Sequence, residues 1–129
     1  LYAAARQITS KYNPYFKPLD LTYAEYITFM VLWEQDGITV GELGQKLYLN
    51  NSTITPVLKK MELGGYIKRE RKAGDERIVV ISLTKAGREM RERCLHIPQE
   101  VGKCVAMPKE KLMQLHDLLY ELIENIQRN

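Results

Sequence analysis

The sequence predicts a mainly α-helical chain with one small β-hairpin: a winged helix-turn-helix with an added helical segment at each end. Three observations lead there. Two short segments with helical spacing, 40–47 and 51–63, are separated by a tight turn at Tyr48-Leu49-Asn50. A glycine pair, Gly64-Gly65, stops the second. The stretch beyond it, 66–84, alternates charge with a β-branched run, Ile78-Val79-Val80-Ile81, as a hairpin does. In such an outline one helix can enter a DNA major groove while the hairpin tip reaches the neighbouring minor groove.

Each element has its own signal. Leu1, Ala4, Ala5, Ile8 and Tyr12 recur at helical spacing over residues 1–17, and Pro14 and Pro18 should loosen the end. The chain opens without Met and in mid-helix, so upstream residues are expected in the natural protein. Thr22 is placed to cap a second helix, with Glu25 completing a capping box. That helix, running to about Gln35, is apolar around most of its girth, as a central core helix is. Asp36-Gly37 should end it, Ile38 should form a short edge strand, and Thr39 should cap helix 40–47. Gly44 within that helix costs about 1 kcal/mol against Ala, so a close packing contact is expected there. Val57, Leu58 and Met61 should face inward from 51–63, with Thr53, Thr55, Lys59 and Lys60 outward. The hairpin strands are expected at 66–71 and 78–83, with 72–77 as the loop between them. Thr84 should cap one long helix reaching about Met107, bent at Pro98. Pro108 should begin the last helix, striped by Leu112, Leu115, Leu119, Leu122 and Ile126 and widened by Leu118 and Ile123.

Composition sets limits. The chain of 129 residues, 45% hydrophobic and 27% charged, suits one domain plus dimerisation appendages. No apolar run nears the roughly 20 residues that a membrane span needs, no signal peptide is visible, and two cysteines are too few for a disulfide scaffold. A reduced, cytoplasmic setting is expected. The net charge of +3 is concentrated in 59–77, where Lys59, Lys60, Lys68, Arg69, Arg71, Lys72 and Arg77 face Glu62, Glu70, Asp75 and Glu76. That patch suits phosphates, and equally suits a solvated basic hairpin.

The candidate reading turn carries Asn51, Ser52, Thr53, Thr55 and Pro56, with Lys59 and Lys60 one turn on. Small polar groups and free N–H groups there can bond phosphates or base edges at close approach. In the hairpin, Lys72 adds charge, and Asp75 stands two residues from Arg77, where its carboxylate can steer the guanidinium. His96 and His116 lack metal-ligand company, no dinucleotide or phosphate-loop fingerprint occurs, and no cofactor is expected.

The segment from Asn51 through Thr55-Pro56 to Glu62 resembles the recognition helix of MarR-type transcriptional regulators. Asp75-Glu76-Arg77 through Ser82-Leu83-Thr84 resembles their wing. Within that family the chain is most similar to the organic-hydroperoxide-responsive (OhrR) branch, over nearly its full length. The resemblance implies a single MarR-type domain, 1–129, with a core at about 22–84 and dimerisation helices at 1–17 and 85–129. It implies a homodimeric repressor on a pseudo-palindromic operator of double-stranded DNA, with first and last helices interleaved between subunits. In that branch the oxidant-sensing cysteine lies a few positions before the residue matching Leu1, outside this sequence. The tyrosines that hydrogen-bond it match Tyr2, Tyr12 and Tyr23, and Cys104 falls near a resolving cysteine of some members. Phenolic donors stabilise a thiolate and so speed its attack on peroxide. Apart from the resemblance, tyrosines at these spacings more often pack a core, and a free cysteine is more commonly an inert buried thiol.

Three other readings stay open. A MarR-type regulator could take a small aromatic inducer between the dimer helices and the core. A thiol peroxidase could use Cys104, with His96, Lys103 or Lys109 as weak partners. A winged-helix module could bind protein and no nucleic acid.

Overall fold

The computed structural model describes all 129 residues. Helix α1, Tyr2–Phe16, continues past Pro14 because Phe16 anchors its last turn in the core. A short 3-10 turn at Lys17–Leu19 and Asp20 in the left-handed region then reverse the chain. Helix α2, Tyr23–Glu34, has the expected capping box: Thr22 Oγ1 accepts the Glu25 N–H at 3.2 Å, and Glu25 Oε1 accepts the Thr22 N–H at 3.0 Å. Strand β1, Ile38–Thr39, runs into α3, Val40–Leu47, which Thr39 and Glu42 cap in the same way. The close contact expected at Gly44 exists, since a Cβ there would stand 2.8 Å from the Leu49 carbonyl oxygen.

Helix α4, Asn51–Leu63, ends at Gly64, and Gly65 takes φ +83°. Ile54, Leu58 and Met61 are its buried residues, while Val57 is only half-buried. Strands β2, Ile67–Lys72, and β3, Asp75–Leu83, follow. The sheet order is β1-β3-β2, antiparallel throughout, with Ile81 of β3 facing both Ile38 and Arg69.

Two expectations are corrected here. The loop expected at 72–77 shrinks to Ala73-Gly74, with Gly74 at φ +90° and Lys72 paired to Asp75. Gly74 supplies the positive φ that reverses the chain within two residues, so pairing extends to the tip. The register then jumps, with Arg71 opposite Val79 and Lys72 opposite Asp75. Asp75, Glu76 and Arg77 therefore belong to a bulged strand and not to a free loop. The second correction concerns the long bent helix. It is two helices, α5, Lys85–Cys94, and α6, Ile97–Val105, joined at Leu95-His96. Pro98 has no N–H and its ring would strike the carbonyl of Cys94 four residues back, so it opens a new helix where a bend was expected. Three helices, not two, follow the hairpin; the last is α7, Lys109–Arg128, with Pro108 at its N-cap.

The core lies where α2, α4, the sheet and α5 meet, around Phe29, Leu32, Leu58, Met61, Ile81 and Met90. No residue of α7 is buried. Its stripe divides by helical angle. Leu112, Leu119 and Ile123 are partly covered, whereas Leu115, Leu118, Leu122 and Ile126 form an open edge. The first eight residues of α1's side are exposed as well, Leu1 and Tyr2 at 79% and 82%.

Candidate nucleic-acid interface

The exposed end of α4 is built by a residue that sequence reasoning passed over. Asn50 is the N-cap, and its Oδ1 accepts the Thr53 N–H at 3.0 Å, the Ser52 hydroxyl at 2.8 Å and the Thr53 hydroxyl at 2.9 Å. The signal was present: Asn just before a helical run is a preferred N-cap. Asn51, Ser52, Thr53, Thr55, Pro56 and Lys59 are all exposed on this helix. Lys60 is exposed too, but its Nζ lies 3.4 Å from Glu25 Oε1 on α2.

In the wing, Asp75 Oδ1 accepts both the backbone N–H and the Nε–H of Arg77 at 3.1 Å, and Oδ2 accepts from Nη2 at 3.3 Å. The Arg77 guanidinium holds the Asp75 carboxyl below the usual carboxylate range, with a further contribution from the Arg77 backbone N–H. The arginine side chain stays 90% exposed, so it is aimed without being hidden. Arg71 braces the bulge by donating to the Glu76 carbonyl, and Lys72 stands free at the tip.

A second carboxylate ties wing to helix. Glu62, in the last turn of α4, accepts from the Arg69 backbone N–H at 3.1 Å, from Nη2 at 3.0 Å and from Nε at 3.3 Å. The side-chain hydrogen bonds from Arg69, chiefly, pull the Glu62 carboxyl down. Sequence reasoning missed this pair, because seven residues across a glycine stop carry no periodic signal. Between α3, α4 and the wing lies a cleft of about 440 Å³, and Asn51, Thr55 and Arg77 all line it. The structure thus gathers residues from the helix end and from the wing on one face.

The other candidates separate. Tyr12 and Tyr23 meet edge to face at 5.1 Å, with Tyr26 and Phe16 completing an aromatic cluster. Burial raises the phenol pKa of Tyr12 and Tyr23, and that of Tyr26 to about 12 through burial and then its neighbours Tyr12, Cys94 and Tyr23. All three therefore remain O–H donors at neutral pH. Tyr2 is apart, ten residues or about 15 Å up α1. Cys104 is exposed and free in α6, while Cys94 is buried, and burial pushes its thiol up. His96 packs against Tyr15, and His116 against Tyr120. No helix is long and apolar enough to cross a membrane.

A short helix-turn-helix backed by a braced, basic hairpin defines a winged-helix protein. Comparison with known proteins makes this specific. The family model described as "Transcriptional regulator SarA/Rot" matches residues 10–94. The organic hydroperoxide resistance transcriptional regulator of Bacillus subtilis is 40% identical over 126 residues, covering 98% of this chain and 86% of that protein. The regulator SarZ of Staphylococcus saprophyticus is 32% identical, covering 99% and 88%. Among solved structures, reduced AbfR bound to DNA superposes with a TM-score of 0.82 at 28% identity, over 97% of this chain and 86% of that one; AbfR is a Staphylococcus epidermidis protein. The Staphylococcus aureus MepR–DNA complex shares the fold, with a TM-score of 0.83 at 22% identity over 96% and 93%. This chain belongs to the SarA/Rot family of MarR-like transcriptional regulators.

Proposed function

We propose that this regulator is a cytoplasmic, homodimeric repressor that grips a pseudo-palindromic operator and releases it when organic hydroperoxide oxidises a thiol. The observation that carries the DNA-binding part is the shared face of Asn51, Thr55 and Arg77 across one cleft. The N-terminal turn of α4 reads the major groove, and Arg77, steered by Asp75, enters the adjacent minor groove. Ser52 and Thr53 spend their hydroxyl protons on Asn50, so they offer lone pairs outward. Lone pairs suit the amino groups of cytosine or adenine better than phosphates. Lys59 and Lys72 supply phosphate contacts, and Pro56 makes an apolar one. Residues 22–84 act as the reading core, while 1–17 and 85–129 join two copies.

The sensing part rests on the Bacillus subtilis relative's name and on the Tyr12–Tyr23 pair. A cysteine thiolate, at the position that the OhrR resemblance implies, attacks the peroxide, the O–O bond breaks, an alcohol departs, and the sulfur becomes a sulfenic acid. Tyr2 of one subunit and the partner's Tyr12 and the partner's Tyr23 stabilise that thiolate, since the pair lies about 15 Å from Tyr2 within one chain. Condensation with the Cys104 thiol then expels water and forms a disulfide.

Two experiments test this reading. Arg77→Ala should weaken operator binding about tenfold and erase any preference for A·T pairs flanking the site, read by gel shift; unchanged affinity would remove the wing from the interface. Titration of a chain that carries the sensing cysteine, on its operator, with cumene hydroperoxide and with salicylate should show release by the peroxide alone. Release only by salicylate would favour an aromatic inducer, and release by neither would leave DNA binding without this sensor.

A further inference from the structure

Lys59 and Lys60 are adjacent and both exposed, yet their surroundings differ. Lys59 has no ion-pair partner, whereas Lys60 reaches 3.4 Å to a Glu25 carboxylate whose side chain is only 5% exposed. Glu25 meets no other cation. A carboxylate that deep requires a partner if it is to stay charged. The oxygen that takes Lys60 is the one that caps α2, since Glu25 Oε1 also accepts the Thr22 N–H at 3.0 Å. One atom therefore joins the start of α2, next to Tyr23, to the third turn of α4, flanked by the fully buried Leu58 and Met61. Leu58 and Met61 hold α4 against the core apolarly, and apolar contacts are non-directional. The ion pair is directional and sits on one side.

We infer that Lys60 is a positioning residue and not a phosphate contact. With Glu25 it fixes how far α4 is rolled about its own axis, and so which of its N-terminal side chains point into the groove. Lys59 alone of the two neutralises DNA charge. This rests on the DNA-binding reading above and adds a division of labour within it.

The two roles predict opposite signs for one substitution. A phosphate contact contributes about one unit to the slope of log affinity against log salt, and a positioning residue contributes none. The probe is a duplex selected by the unsubstituted protein from a random-sequence library, with binding followed by fluorescence anisotropy at several salt concentrations. Lys59→Met should reduce the slope by about two, one for each subunit of the dimer. Lys60→Met should weaken binding on the order of tenfold with the slope unchanged. Glu25→Gln keeps a carbonyl oxygen for the Thr22 N–H, so α2 stays capped, and should weaken binding to a similar degree. The double variant should be no worse than either single one. If Lys60 touches phosphate instead, Lys60→Met lowers the slope, and Glu25→Gln tightens binding by freeing the lysine; either result overturns the inference. Variants that calorimetry shows to be folded and that bind like the parent would reduce the pair to a stability device, which also overturns it. Failure to select any duplex is a different result: it removes the DNA-binding reading itself, and this inference with it.

Discussion

Leu118→Glu should turn the dimer into monomers and cut operator affinity at least about a hundredfold. Leu118 is 62% exposed in the single chain and lies on the open edge of α7 with Leu115, Leu122 and Ile126. A glutamate there faces water in the monomer, so the fold of each chain should survive. In a two-fold dimer the same position recurs on both partners, and each carboxylate would be buried without a counter-ion. That costs several kcal/mol for each copy. Loss of the pairing leaves each reading head alone on its half-site, without the effective concentration that tethering provides. Light scattering after size exclusion reads the first effect and anisotropy the second. Asp117→Lys, on the far side of the same helix, is the control and should leave the mass unchanged. A dimer that persists with Leu118→Glu would place the subunit contact elsewhere.

Gly87→Ala should be the most destabilising single methyl in the chain. A Cβ there would lie 2.2 Å from the Tyr66 carbonyl oxygen, 3.2 Å from its carbon and 3.0 Å from Leu83 Cδ2. Two of those atoms are backbone at the root of the hairpin, and the same carbonyl accepts the Thr84 N–H at 3.0 Å. No rotamer change can make room, so α5 must slide away from the start of β2. Sliding would strain the Thr84 cap on the Gly87 N–H at 3.2 Å and the bond from Trp33 Nε1 to the Gly87 oxygen at 3.0 Å. The expected cost is about 3 kcal/mol, a fall in melting temperature of roughly 10 °C. Gly102→Ala gives the contrast. It lies within α6 with nothing within 4 Å of its would-be Cβ, so alanine should be neutral or stabilise by about 0.5–1 kcal/mol. Calorimetry on the two variants should show opposite signs; equal melting points would mean that the helix–hairpin joint is looser than its geometry.

What could be read in the sequence was local. Thr22 with Glu25 and Thr39 with Glu42 form capping boxes because three residues of spacing suffice to specify them. Thr84 caps α5 for the same reason, and Ile78–Ile81 could only be strand. The misread parts depend on competition between neighbours. Pro98 was expected to bend a helix, but its ring clashes with the Cys94 carbonyl, and α5 ends at that residue. Asp75-Glu76-Arg77 looks like loop by composition, yet Ala73-Gly74 turns so tightly that pairing runs through to Asp75. The unseen features are pairings across distance. Glu62 with Arg69 and Glu25 with Lys60 join different elements, and no periodicity announces them. Of the candidate site, the exposed turn and wing arginine were legible as residue types in order. Their common face was not, because it depends on how α4 is seated against the sheet.

The bare edge of α7 has a consequence for abundance. If assembly must precede operator capture, then at scarce supply the pool of paired molecules grows with the square of chain number. Halving synthesis would then leave a quarter of the active form. A gene held shut by such a protein would open when its guardian is merely diluted, as at rapid growth, with no chemical signal at all.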